Sequence, residues 1–188
     1  MTKWHGGKGS TQRKVDFNKF SCGYDLIWNK KQTMNKEAVY EQLKIDEGVE
    51  YEVYLDHLGY KTFGIGHLVT RRDPEWYYEV GTSVSEERVK EAFDNDIQVS
   101  ISECMTLYGQ DAFCLLPDEV QQILVNMMFN LGRPRLSGFR KFNAAIKAGR
   151  WTEASREGRD SLWYKQVTNR AERLMTRLED LNKLAERV

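Results

Sequence analysis

Cysteine, histidine and proline are scarce in this chain, with three of each among 188 residues. The cysteines are Cys22, Cys104 and Cys114. Their odd number and the lack of Cys-x-x-Cys spacing argue against a disulfide framework and against a zinc site. Cys104 and Cys114 read instead as small apolar core residues. The histidines have no ligand-like spacing and give no metal signal; no cofactor is expected either. No apolar run approaches the roughly 18 to 20 residues that span a membrane, and stable membrane insertion is not expected. The opening MTKWHGGKGSTQRK has no apolar stretch after its basic residues, so it does not read as a conventional secretory signal. Gly7-Lys8-Gly9-Ser10 superficially resembles a phosphate loop. It lacks the glycine five residues before the Gly-Lys pair and the Ser or Thr directly after the lysine that such a loop requires. Repeats and low-complexity tracts are also missing.

What remains is an ordinary globular composition, 40% apolar and 30% charged, long enough for one substantial domain or two lobes sharing a helix. Net charge is zero, but its distribution is uneven. Residues 1–34 hold seven basic and two acidic residues, residues 35–132 seven and nineteen, and residues 133–188 fourteen and seven. The segments thus carry about +5, −12 and +7. Two readings are open: scattered surface charge, or lobes of opposite sign, of which the basic one attracts an anionic polymer by long-range, salt-sensitive forces. Charge alone does not choose between peptidoglycan and nucleic acid.

Residues 1–34 read as a basic, glycine-containing arm without sustained apolar periodicity. Asn35 is a plausible N-cap for a helix running to Glu47, with Gly48 as its stop. From Tyr51 to Val69, short segments broken by Gly59, Gly64 and Gly66 predict a small antiparallel sheet. Ser85 caps a long helix whose Val89, Phe93, Ile97, Ile101 and Met105 repeat every four residues. A helix follows Leu116-Pro117-Asp118, with Gly132-Arg133-Pro134 expected to end it. Shorter helices are expected around 138–148, 151–157 and 160–164. A terminal amphipathic helix begins near Asn169, with Leu174, Leu178, Leu181 and Leu184 on its core face.

The chemistry concentrates between residues 47 and 67. Two carboxylic acids, Glu47 and Asp56, and the hydroxyl of Thr62 lie within 16 residues. One carboxyl can donate a proton to a leaving oxygen; the other can stabilise positive charge or orient water; a hydroxyl can hold that water. This is the minimum equipment for cleaving a glycosidic bond.

Glu47-Gly48, five residues, Tyr54-x-Asp56, then Gly59, Thr62 and Gly64-x-Gly66-His67 resemble the signature of the phage-type (T4-like) lysozyme family at all nine positions. The resemblance covers roughly residues 35–183 and continues through Leu116 to Gly132 and through Ser161-Leu162-Trp163-Tyr164 to Asn169-Arg170-Ala171. It implies an α+β, mostly α, two-lobe fold with a small antiparallel sheet. The small lobe would span about 35–84, a connecting helix 85–107 and a helical lobe 108–188, all within a lysozyme domain of residues 35–188.

The resemblance also implies the roles. Glu47 would be the general acid, Asp56 the second carboxylate and Thr62 the hydroxyl near the attacking water. Gly66, Leu68, Phe129 and Asn130 match cleft-lining, substrate-binding positions, although the best-known member has a glutamine at the position of Asn130. Arg170 matches an arginine paired with the acid. His67 and Asp96 match a histidine–carboxylate pair read as structural, Asp46 and Arg173 are expected to pair at a lobe boundary, and Tyr54 belongs to the signature. Trp163 reads as a buried anchor. The implied activity is hydrolysis of peptidoglycan by a monomer, without nucleic acid as partner. The expected setting is a phage endolysin held in the host cytoplasm until a holin-type protein releases it; the alternative is a virion- or tail-associated lysozyme used at entry. A lytic transglycosylase needs no second carboxylate, so Asp56 argues against one.

Overall fold

The computed structural model describes residues 34–185, with side chains to residue 181; the expected arm lies outside these residues apart from Met34. The order is α1 (Lys36–Glu47), β1 (Glu50–Leu55), β2 (Lys61–Gly64), β3 (His67–Leu68), a 3₁₀ turn (Pro74–Tyr77), α2 (Glu86–Tyr108), α3 (Gln110–Leu115), α4 (Asp118–Ser137), α5 (Arg140–Lys147), α6 (Trp151–Arg159), α7 (Leu162–Gln166) and α8 (Thr168–Ala185). The fold is α+β and mostly α, with one three-stranded antiparallel sheet among the described residues, in the order β1-β2-β3.

Local chemistry accounts for the boundaries. Asn35 accepts a hydrogen bond from the Ala38 amide and Ser85 from the Arg88 amide, so both long-sequence caps satisfy an orphan N–H of the helix that follows. Gly48, at φ +79°, returns its own N–H to the Lys44 carbonyl and stops α1 one residue after Glu47. Gly132 does not end α4. It breaks the helix at φ +69°, and the chain then resumes helical geometry to Ser137. Pro134 is tolerated because it falls in the first turn after the break, where its missing N–H leaves no bond unmade.

Two hydrophobic cores organise the described residues. The smaller comprises Val53, Phe63, Val69, Val84, Val89 and Ala92. The larger gathers the helices around residues such as Leu43, Ile97, Ile123, Met127, Phe142 and Leu174. Helix α1 precedes the sheet in sequence but buries Val39, Tyr40 and Leu43 in the larger core. Helix α2 serves both: Val89 and Ala92 face the small core, whereas Phe93 and Ile97 enter the large one. At 23 residues it is about 35 Å long. Tyr40 and Phe129 meet Phe93 from α1 and α4, with ring centroids 4.8 and 6.0 Å away.

Cys104 is buried and free. Cys114 is half-buried and disulfide-bonded. This corrects the reading of Cys114 as a small apolar core residue: the spacing rules that argue against a disulfide framework do not bear on a single bond, which needs no pattern.

Candidate active site

Glu47 is the last residue of α1, held by the large core; Asp56 opens the turn between β1 and β2, and Thr62 lies on β2, in the sheet that carries the small core. The two carboxyls therefore belong to different packing units, which α2 shares and which only two residues separate between α1 and β1.

The Glu47 side chain is partly exposed and is gripped from the helical side. Arg170 Nη1 donates to Glu47 Oε1 at 2.5 Å, and Asn130 Nδ2 approaches the same oxygen at 3.5 Å. Asn130 is itself fixed, because its Oδ1 accepts from the indole N–H of buried Trp163 at 2.9 Å. Arg170 is buried on α8. Its Nε and Nη2 donate to the side-chain and main-chain oxygens of Asn126 at 2.9 and 3.0 Å, which leaves Nη1 for Glu47. Burial lowers the Arg170 pKa, and the Glu47 carboxylate opposes that shift. Asn126 Nδ2 donates in turn to Asp46 Oδ2 at 2.9 Å, and Asp46 also pairs with Arg173. Asp46 is buried, so this pair is not the exposed surface bridge that would contribute little.

Asp56 is fixed by its own turn. Its Oδ1 accepts from the Leu58 and Tyr60 amides at 2.9 and 2.8 Å, and its N–H donates to the Tyr60 carbonyl. The Gly59 amide closes the turn on the Asp56 carbonyl, with Gly59 at φ +83°. Thr62 is buried, pairs with Tyr54 on one side and Leu68 on the other, and donates its hydroxyl proton to the Tyr60 carbonyl at 3.1 Å. Tyr54, Thr62 and Leu68 thus form one cross-strand row. Tyr54 connects the two carboxyls electrically: burial raises its pKa first, and the charges of Glu50, Asp56 and Glu47 raise it further.

A common design emerges. Each carboxyl is tethered through one oxygen, Oε1 of Glu47 and Oδ1 of Asp56. Among the described residues no hydrogen bond occupies the other. Glu47 Oε1 faces a guanidinium, so the oxygen that can carry a transferable proton is Oε2. Asp56 can present Oδ2 to positive charge or to water.

The remaining predicted residues sit around this pair. Gly66 is exposed at φ +73° in the β2–β3 turn, and Leu68 is half exposed on β3. Phe129 is half-buried beside Phe93 and next to Asn130. His67 lies outside the cluster. Its Nδ1 is 2.8 Å from Asp96 Oδ2 on α2, and its Nε2 is 3.4 Å from Asp73 Oδ1 without hydrogen-bond geometry. Burial lowers the His67 pKa, but the hydrogen bond and charge of Asp96, with the charge of Asp73, outweigh it and leave the pKa raised. Asp73 extends the network to Arg88, which also clamps Glu75.

Asn126 went unrecognised in the sequence, although it is the hub that orients Arg170. The available signal was a polar residue inside the apolar run Ile123 to Leu131. A cavity of about 760 Å³ opens beside Trp163, with Phe139, Phe142 and Glu157 in its wall and Arg135, Arg140 and Lys141 among its lining. It does not include Glu47 or Asp56. Among the described residues no cluster of acidic, cysteine or histidine side chains has the arrangement to hold a metal ion.

The phage lysozyme family matches residues 44–180, a span that contains Glu47, Asp56, Thr62, Asn130 and Arg170. The chain is 31% identical to the pre-baseplate central spike protein Gp5 of Enterobacteria phage T4, covering 71% of this chain and 26% of that protein. It therefore spans about a quarter of that relative's length. It is also similar to probable T4-type lysozymes 1 and 2 of Dictyostelium discoideum, at 28% and 30% identity. Those matches cover 76% and 74% of this chain and 94% and 92% of the relatives. By the extent of these matches, the chain belongs to the phage lysozyme family of enzymes.

Proposed function

We propose that this chain hydrolyses the β-1,4 bond between N-acetylmuramic acid and N-acetylglucosamine in peptidoglycan. The observation that carries the reading is the pair of singly tethered carboxyls, Glu47 and Asp56, on opposite packing units of a phage lysozyme family chain.

In the proposed mechanism, Glu47 Oε2 delivers a proton to the glycosidic oxygen as the bond to the anomeric carbon breaks. Positive charge develops on the sugar, and Asp56 Oδ2 stabilises it or orients water. Thr62, fixed on the strand beside the Asp56 turn, holds that water through its hydroxyl oxygen, whose own proton is committed to the Tyr60 carbonyl. Water attacks opposite the leaving group and gives up its proton to Asp56 Oδ2, which gives inversion, as the resemblance implies. Glu47 ends the reaction as a carboxylate beside Arg170, which stabilises it until it is reprotonated. Leu68, Gly66, Phe129 and Asn130 contact the sugars. The cavity beside Trp163, with Arg135, Arg140 and Lys141, suits the carboxylates of the peptide stems that peptidoglycan carries.

Product analysis tests the chemistry. Digestion of purified peptidoglycan is expected to release fragments with reducing muramic-acid ends, whereas 1,6-anhydro ends would identify a transglycosylase and overturn the mechanism.

Two settings use this chemistry. One is an endolysin that accumulates in the host cytoplasm and reaches the wall after holin-type permeabilisation. The other is a virion-associated lysozyme used at entry, a reading favoured by the similarity to a central spike protein. Detection of the chain in purified particles supports the second; its absence there leaves the first.

A further inference from the structure

The segment Pro74–Tyr78 is turned inside out. Its charged residue, Glu75, is only 2% exposed, while Trp76, Tyr77 and Tyr78 are 40%, 84% and 37% exposed. The usual partition buries the rings and solvates the carboxylate. The inversion is built in. Arg88 clamps Glu75 with two hydrogen bonds, Nε to Oε1 at 2.9 Å and Nη2 to Oε2 at 3.0 Å. Lys61 Nζ donates to the carbonyls of Trp76 and Tyr78, at 3.0 and 2.5 Å, and so fastens the backbone on both sides of Tyr77 to β2. Arg71 lies over the Trp76 ring, 5.8 Å from its centroid. The rings are therefore held outward rather than left there by a loose loop.

The ridge does not stand alone. Leu55 pairs with Lys61 across the β1–β2 ladder and is exposed, as are Leu58, Tyr60 and Val80. Together these side chains make the outer end of the sheet apolar and aromatic. Large apolar side chains exposed in this number on one lobe are the raw material of an interaction site.

Two features select the partner. The ridge is continuous with the turn of the second carboxylate, because the Tyr60 amide and carbonyl both hydrogen-bond Asp56. A polymer passing Asp56 therefore meets the ridge without leaving the lobe. Ring chemistry also discriminates. Tryptophan and tyrosine offer a flat apolar face with a polar edge, matched to a sugar ring with an apolar face and a hydroxyl rim.

We propose that Tyr60, Trp76, Tyr77 and Tyr78 form an accessory glycan-binding surface that holds the polymer beyond the two carboxylates. The proposal rests on peptidoglycan glycan being the substrate. The Trp76–Tyr78 backbone is tied to Lys61, which alternates with buried Thr62 along β2, so these three rings lie beyond the catalytic groups, while Tyr60 adjoins the Asp56 turn. The surface acts on long strands and not on short ones.

The test compares Trp76→Ala, Tyr77→Ala and their double variant with the parent, in two formats. Binding is measured on long, peptide-free glycan strands, with Glu47→Gln in every form to prevent cleavage. Turnover is measured with Glu47 intact, on intact peptidoglycan and on a short soluble muropeptide oligosaccharide. Each ring removed is expected to weaken long-strand binding by roughly 3- to 10-fold, with turnover of the short substrate unchanged. Equal long-strand binding by the double variant and parent, in a chain that cleaves peptidoglycan, overturns the ridge proposal and leaves the surface to a protein partner. A folded parent that cleaves neither substrate overturns the reading on which the proposal rests.

Discussion

Arg170 offers a demanding test of how the acid is held. Replacing it with methionine keeps the volume of the side chain and removes the guanidinium. The buried group makes three hydrogen bonds, two to Asn126 and one to Glu47, and lies 3.5 Å from Asp46. Removing one partner from a buried ionic network costs about 3–5 kcal/mol. Each oxygen of Asn126 left without a donor would cost roughly 1–3 kcal/mol on its own account. These contributions describe the same contacts and are not added. Arg173 and Asn126 Nδ2 remain on Asp46, which places the expected loss near the lower bound, about 3 kcal/mol. For a domain of this size that corresponds to a fall in Tm of roughly 6–12 °C. Urea and thermal unfolding followed by circular dichroism provide the assay, with Arg170→Lys as the partner variant. Lysine retains the charge but not the three-way fork, so it is expected to recover only part of the loss. A loss below about 1 kcal/mol for the methionine variant would mean that the site behaves as a solvated surface pair and would refute the buried clamp.

Three further outcomes follow. Gly64 sits at φ +62° with an added Cβ 3.0 Å from Val89 Cγ1, whereas Gly66 at φ +73° faces open space. Gly64→Ala is therefore expected to destabilise more than Gly66→Ala, by about 1 kcal/mol or more above the shared backbone strain of ~1–2 kcal/mol; equal losses in unfolding experiments would refute that contact. The raised His67 pKa means that the protonated ring favours the fold. Its contribution is complete below the ordinary value of 6.5 and fades as pH climbs through the raised folded value. The stability difference between the parent and His67→Asn should shrink over that rise, and a difference that grows with pH would contradict the pairing with Asp96 and Asp73. Ser85→Ala removes the cap of α2 and should cost about 0.5–2 kcal/mol in the same unfolding assay.

The legible parts of the fold were those with local chemistry. Asn35 and Ser85 announce α1 and α2 because a cap needs one side-chain oxygen at one place. Gly59, Gly64 and Gly66 mark the sheet turns because only glycine readily takes their positive φ. Helix α3, six residues long, was too short to show a period. Gly132 and Pro134 read as a stop, yet the helix resumed, because a break and an end have the same local signature. The roles attached to Glu47, Asp56 and Thr62 came from the nine-position resemblance. What single-residue reasoning missed depends on tertiary burial: Asn126 as the hub behind Arg170, Glu75 turned inward on Arg88, and the aromatic ridge held outward by Lys61. None is visible until residues distant in sequence are packed together.

The most direct measurement of the central claim is turbidity loss on purified Gram-negative peptidoglycan by the parent and by Glu47→Gln, with the folding of both verified. The substitution keeps a hydrogen-bonding group of the same length and removes the transferable proton. The account predicts clearing by the parent and none by the variant. Clearing by both would show that Glu47 is not the acid, and clearing by neither would show that the tethered carboxyls do not hydrolyse this polymer.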